Sequence, residues 1–276
     1  MDYFSDLKNT VKQALAEDVG AGDLTAELIG ESTKASAKII TREQTVLCGK
    51  AWAEETVFQV DPEVKTRWQF NDGEEVSSGE ELVRLEGKAR SILTAERTML
   101  NFLQILSAVA TKTRSMTERI KDTNTLLLDT RKTIPGLRLA QKYAVKIGGG
   151  QNHRVGLFDA FLIKENHIKA AGGISNAIKK AKRVNNSARI EIEVETIEEL
   201  KDALEHKPDW ILLDNFSISD MVRAVKIAKQ KAKLEASGGI SDADNLLEIA
   251  KTGVDFISMG ELTKNIKAVD LSLLLD

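Results

Sequence analysis

RIEIEVETIEELKDALEHKPDWILLDNFSISDMVRAVKIAKQKAKLEASGG, residues 189–239, decides the fold. Three short apolar runs, RIEIEVE, DWILLD and KLEAS, alternate with two helical patterns, TIEELKDALEH and ISDMVRAVKIAKQKA. Strand, helix, strand at such spacing implies crossover connections and a parallel sheet. The unit continues on both sides. TLLLD (125–129) and DAFLIK (159–164) precede it and DFISMG (255–260) follows, with ISNAIKKAKRVN and DADNLLEIAKTG between. So many repeats favour a parallel β/α barrel, complete or partly open. A doubly wound sheet is the alternative, but the glycine fingerprint expected after its first strand is missing.

Parallel barrel strands aim their C-terminal ends at one mouth, where such folds keep their active sites. In chain order those ends carry Arg131 and Lys132, Lys164, Glu193 and Glu195, Asp214, Ser237-Gly238-Gly239, and Gly260. Charged groups so placed converge. Glu191 and Glu195 read as members of structural ion pairs. SGGIS (237–241) and MGE (259–261) put small residues at late strand ends before a helix, where backbone N–H groups and the helix dipole suit a phosphate. Glu193 and Asp214 form an acidic wall, suited to hydroxyls, a metal or a developing positive charge.

The opposite wall comes from Asp129–Arg154, DTRKTIPGLRLAQKYAVKIGGGQNHR, with Arg131, Lys132, Arg138, Lys142, Lys146, His153 and Arg154. A solvated basic face is the plain reading of such a run. Here the run starts on a buried strand and ends after three glycines, which leave room for a close-approaching ligand. A pocket for a small polyanion fits better.

Composition bounds the function. The 276 residues are 42% hydrophobic and 29% charged, with net charge −3, which argues against a nucleic-acid binder. Aromatic residues for base stacking make up 5%. One cysteine, Cys48, excludes a disulfide framework and a multi-cysteine metal site, and reads as a buried small hydrophobe. No secretory signal opens the sequence and no apolar run approaches the ~20 residues of a membrane helix, so a cytoplasmic location is expected.

Before residue 113 the pattern is α+β. Residues 5–19 read as an amphipathic helix with Ser5 as N-cap and Gly20 beyond its end. ASAKIITREQTVLCG reads as a strand pair or one long strand, AWAEETVFQVDP as a short helix and VKTRWQF as a strand. Turns at Asp72-Gly73 and Ser78-Gly79 follow, in hairpins without the carrier lysine of a swinging arm. Residues 88–121 form one helix free of Gly and Pro. The division expected is an N-terminal α+β domain over 1–112 and a barrel over 113–276, whose tail can return to the first domain.

DTRKTIPGLR, KYAVKIGGGQNHR and LIKENHI, taken in order with AERTMLNFL and EDVGAGDLT, resemble the signature blocks of the quinolinate phosphoribosyltransferases. The resemblance implies transfer of phosphoribose from 5-phosphoribosyl 1-pyrophosphate to quinolinate, with decarboxylation to nicotinate mononucleotide. It implies that Arg131, His153, Arg154 and Lys164 bind quinolinate, with Arg97 supplied by the other subunit of a homodimer that shares its sites and can assemble further. Lys132 would lie between quinolinate and the pyrophosphate. Glu193 and Asp214 would serve ribose hydroxyls and Mg²⁺, and Ser237, Gly238 and Gly260 the phosphate. No organic cofactor, nucleic acid or membrane is implied. Ile134, Glu165 and Ala108 depart from the family's threonine, aspartate and glycine; none removes a cation or a carboxylate from the site. A Schiff-base aldolase using Lys164, and a paralogue of these transferases linked to molybdate transport, are the alternative readings.

Overall fold

The computed structural model describes residues 1–240 and 243–276, and the chain folds as two compact units. One unit takes Met1–Arg114, Thr133–Gly149 and Leu262–Asp276; the other takes Ser115–Lys132 and Gly150–Glu261. Each is interrupted in sequence.

The first unit opens with α1 (Leu7–Val19), a 3-10 turn (Ala26–Leu28), β1 (Lys34–Thr41), β2 (Thr45–Val46) and α2 (Lys50–Val60). β3 (Lys65–Trp68), β4 (Glu75–Val76), β5 (Glu81–Lys88) and the long α3 (Ala89–Arg119) follow. The cap at the start differs from the sequence reading. Asp6, not Ser5, precedes α1, and the Ser5 hydroxyl donates to the Asp2 carbonyl instead. ASAKIITREQTVLCG is neither a hairpin nor one strand: β1 pairs with β5, while β2 pairs with β4 in a separate ladder. Alternation along β1 sends Ala37 and Ile39 into a core shared with Val83 and Leu85 of β5 and Ile92, Met99 and Leu103 of α3. The last strand, β12 (Leu271–Leu275), adds antiparallel to β1 and completes the order β12-β1-β5-β3. Cys48 is fully buried, and burial raises its pKa well above the usual thiol value. α4 (Arg138–Ile147) also lies here, with Gln141 and Lys142 fully buried.

The second unit is the repeating half. β6 (Leu126–Leu128), β7 (Ala160–Ile163), β8 (Arg189–Val194), β9 (Trp210–Asp214), β10 (Lys233–Ser237) and β11 (Phe256–Ser258) form one parallel sheet, ordered β6-β11-β10-β9-β8-β7. The first strand thus pairs with the last, as in a barrel, but among the described residues β6 and β7 stay at opposite ends of the ladder, and the barrel is open there. Gln151 adds one parallel bridge to Leu128 at the β6 edge. α5 (Glu165–Ala171), α6 (Ile174–Val184), α7 (Ile197–Glu205), α8 (Ile218–Ala228) and α9 (Ala243–Lys251) link the strands; α10 (Glu261–Lys264), a single turn after β11, passes into the first unit at Leu262. Thr196 and Ser217 cap α7 and α8 through their side chains, which fixes how the chain leaves β8 and β9. No described helix is long and apolar enough to cross a membrane.

Candidate active site

Strand register decides which side chains meet. Side chains alternate across a sheet, and directly paired residues share a face. Glu191 pairs with Trp210, Glu193 with Leu212, Leu212 with Glu235, and Ser237 with Asp214. One face of the sheet therefore carries Glu191, Glu193, Asp214, Glu235 and Ser237, with Leu162 of β7 and Ser258 of β11 in the same set. Lys164, Glu193, Asp214 and Ser237 stand at or just beyond the C-terminal ends of their strands, and Glu191 and Glu235 lie two residues deeper.

Glu193 and Asp214 lie near each other on adjacent strands. Lys164 Nζ lies 2.9 Å from Glu193 Oε2. Burial raises the Glu193 pKa, Lys164 opposes the rise, and the charge of Asp214 adds to it. Asn215, in the left-handed region at φ 55, donates to Asp214 Oδ2 at 2.9 Å. The same Asn215 explains Gly238. At φ 97, a Cβ on residue 238 would run into the Asn215 side chain, so glycine is needed both for the backbone and for space. Gly260 makes room differently: a Cβ there would sit 2.8 Å from Lys132 Cδ, so its bareness lets Lys132 cross the strand end. The phosphate reading of these loops needs one correction. α10, which follows Gly260, has only four residues and supplies little dipole. Ser241 of SGGIS lies outside the described residues.

On the cationic side Arg131 and Lys132 are exposed, and the Lys132 N–H donates to Thr130 Oγ1 at 3.0 Å. Arg154 is buried, with Nη1 donating to the Ala160 carbonyl at 3.1 Å. Burial, and then the like charge of Arg131, depress the Arg154 pKa. Two guanidinium groups close enough to disfavour each other make a good seat for an anion, whose binding turns repulsion into attraction. Arg138, Lys142 and Lys146 belong to the first unit. Arg97 is exposed on α3, with no ion-pair or hydrogen-bond partner among the described residues.

His153 is placed differently from a residue waiting for substrate. It is buried, its N–H donates to Asp129 Oδ1 at 2.8 Å, and its Nδ1 accepts the Arg154 N–H at 2.7 Å. Its Nε2 lies 2.8 Å from Glu191 Oε2 and 3.3 Å from Glu235 Oε2. Both carboxylates are essentially inaccessible. Burial pulls the His153 pKa down, and the two glutamates more than offset it, taking it up to about 9. Burial and the charge of Glu235 push Glu191 up to about 7. A charged ring would also carry hydrogen on Nδ1, facing the Arg154 N–H at 2.7 Å. That contact is repulsive and opposes the two carboxylates, which favour the charged ring.

Sequence reading brought Glu191 to a structural pairing, which it has, but passed over Glu235, Asp129 and Asn215. A glutamate in the middle of KLEAS, flanked by buried Leu234 and Ala236, is the one visible signal for Glu235. His167 supports the Lys164 strand end, its Nδ1 accepting the Lys164 N–H at 3.1 Å. Lys164 itself is held in an ion pair, unlike the free amine a Schiff-base enzyme needs.

Known proteins share both sequence and fold with this chain. Residues 23–107 match the family model for the quinolinate phosphoribosyl transferase N-terminal domain, and 109–274 that for the C-terminal domain. The nicotinate-nucleotide pyrophosphorylase (carboxylating) of Oryza sativa subsp. japonica, a chloroplastic protein, is 40% identical over 98% of this chain and 78% of its own. A probable nicotinate-nucleotide pyrophosphorylase (carboxylating) of Bacillus subtilis is 38% identical over 97% of this chain and 92% of its own. The solved nicotinate-nucleotide pyrophosphorylase of Francisella tularensis superposes with a TM-score of 0.95 at 50% identity, covering 98% of this chain and 96% of that one.

Proposed function

The chain belongs to the quinolinate phosphoribosyltransferase family, and from that premise we propose that it makes nicotinate mononucleotide, pyrophosphate and CO₂ from quinolinate and 5-phosphoribosyl 1-pyrophosphate, in NAD biosynthesis. The observation that supports this reading is that Glu193 and Asp214 stand near the C-terminal ends of adjacent strands, while Arg131 follows β6 and bears on the buried Arg154 closely enough to depress its pKa.

Quinolinate brings two carboxylates on one pyridine ring. Arg131 and Arg154 receive them as guanidinium forks, with Lys164 beside the acidic wall. The oxygen donors of Glu193 and Asp214 would suit a Mg²⁺ arriving with the donor's pyrophosphate, which would offset its negative charge, as well as the ribose hydroxyls. Lys132, laid across bare Gly260, lies between the two substrates, and Ser237, Gly238 and Gly260 receive phosphate oxygens. The ring nitrogen's lone pair forms the bond to ribose C1 as the C1–O bond breaks and its electrons leave with pyrophosphate. Positive charge builds on the ribose in that step, and the carboxylates of Glu193 and Asp214 stabilise it. The bond to the 2-carboxylate then breaks to release CO₂. The quaternised nitrogen holds the electron pair at C2 until a proton arrives, so the chemistry needs no organic cofactor.

Arg97 completes the quinolinate site from a second subunit in this reading, which makes the enzyme a homodimer. The functional partition falls near residue 112, with a cytoplasmic setting. The deciding assay is nicotinate mononucleotide formed from quinolinate, 5-phosphoribosyl 1-pyrophosphate and Mg²⁺. Absence of product with pure, folded protein refutes the assignment.

A further inference from the structure

At the end of β9 one residue holds an unfavourable backbone conformation that the proposed reaction leaves unexplained. Asn215 follows Asp214 directly and lies in the left-handed region at φ 55. Lys207, Lys229 and Gln230 share that region among the described non-glycine residues, but they stand between a helix and the next strand. Asn215 alone stands where a parallel strand ends. Such strain persists only where surrounding contacts hold it, and it gathers at functional sites. Here it has a geometric result. In extended backbone the side chains of residues 214 and 215 would point to opposite faces. The left-handed turn brings them together instead, and Asn215 Nδ2 donates to Asp214 Oδ2 at 2.9 Å.

We propose that Asn215 is a positioning residue that couples the acidic pair to the phosphate loop, holding the Asp214 carboxylate on one side and the Ser237-Gly238 backbone on the other. Each side has its contacts. The Asn215 N–H donates to the Ser237 carbonyl at 3.0 Å. Its Oδ1 and Cγ lie against Gly238, filling the space a Cβ there would need. The amide can face only one way, because a carboxylate requires the NH₂ end as donor. That leaves the oxygen end toward Gly238. Asp214 and Ser237 are direct partners in the β9–β10 register, so the seam between these strands is where ribose and phosphate of one donor molecule would meet. Asn215 sets the spacing of the two sides before the donor binds, and the Asp214 charge is then aimed when the ribose becomes cationic. It acts through Asp214 and the loop, touching no reacting atom.

The kinetic part of this inference rests on the quinolinate reading; the contact with the loop does not, and the two are tested separately. Asn215→Gly keeps the left-handed backbone and removes only the amide. It should lower kcat about tenfold and raise the donor KM several-fold, with the quinolinate KM nearly unchanged. In an Asp214→Asn background the same substitution should cost less than about threefold more in kcat, because the charge it aims has gone. Additive losses in kcat would overturn the proposal by placing the amide on the substrate itself. A second cycle needs no substrate. Gly238→Ala meets the Asn215 side chain, so its fall in melting temperature should be smaller by about 2 °C or more in the Asn215→Gly background. Equal falls in the two backgrounds would overturn the coupling to the loop. Turnover of quinolinate with both cycles additive refutes the coupling alone. No turnover, with the melting cycle non-additive, refutes the quinolinate reading and leaves the contact between Asn215 and the loop standing.

Discussion

Glu193 and Glu191 are the same residue type on the same strand and face, two positions apart, yet they belong to different layers of the molecule. Glu193 stands near the strand end, paired with Lys164 and near Asp214. Glu191 lies one step deeper, closed off, with His153 and Glu235. β10 repeats the contrast with Ser237 above Glu235, and β11 with Gly260 above Ser258. Depth along a strand, more than residue type, separates the groups assigned to substrate in the proposed reaction from the groups packed beneath them. A charge in the upper layer should therefore act on rate or affinity, and one in the lower layer on stability and aim.

The largest effect expected is in the upper layer. Asp214→Asn keeps the shape and removes the charge that is most valuable as the ribose becomes cationic. kcat should fall by roughly 10²–10³-fold with a smaller change in the quinolinate KM. Steady-state kinetics decide it; an unchanged kcat would leave Asp214 a structural acid and erase the difference between the layers.

Next comes the cationic wall. With two guanidinium groups set for two carboxylates, nicotinate, which has one, should react about ten- to a hundredfold less efficiently than quinolinate at saturating donor. Arg154→Ala should cost quinolinate affinity and narrow that gap. Comparable kcat/KM for the two acids in the wild-type protein would mean that Arg131 and Arg154 do not read a second carboxylate.

Gly238→Ala tests the seam where β9 and β10 end. The added methyl meets Asn215 and demands an unfavourable backbone at φ 97, so Asn215 must release Asp214 or the loop must shift. The expected outcome is a several-fold higher KM for the phosphoribosyl donor and about 1 kcal/mol or more of lost stability. Donor KM unchanged alongside reduced stability would confine the glycine to a folding role.

How much of this was legible in the sequence follows from the same layering. Every strand of the parallel sheet could be read, because a strand buried on both faces is a short apolar run bounded by turn residues. β12 was not, since LSLLLD at a chain end gives no periodicity to separate strand from helix, and its pairing with β1 spans nearly the whole sequence. Upper-layer groups announced themselves as charges just past apolar runs. Lower-layer groups did not: Glu235 looks like one polar interruption in KLEAS, and its value appears only when register places it beside His153. Periodicity gives the face of a residue, while depth and neighbours come from the register of other strands.

The smallest effect expected is on stability, and it tests whether the lower layer holds a proton on Glu191. Burial and the charge of Glu235 raise Glu191 to about 7 from an ordinary value of 4.5. Between those pH values the folded chain binds more protons than the unfolded one, so this group's contribution is fully present below about 4.5 and is lost as pH rises through about 7. Glu235 shifts the opposite way, downward, so its contribution is lost only as pH falls below the ordinary carboxylate range, outside that window. Glu191→Gln replaces the protonated acid by an amide of nearly the same shape, which cannot ionise. The wild-type melting temperature should fall by a few degrees, relative to Glu191→Gln, between about pH 5 and pH 8. Parallel melting curves for the two proteins across that range would mean that Glu191 is ionised throughout, and the lower layer would then be a plain ion pair around a charged His153.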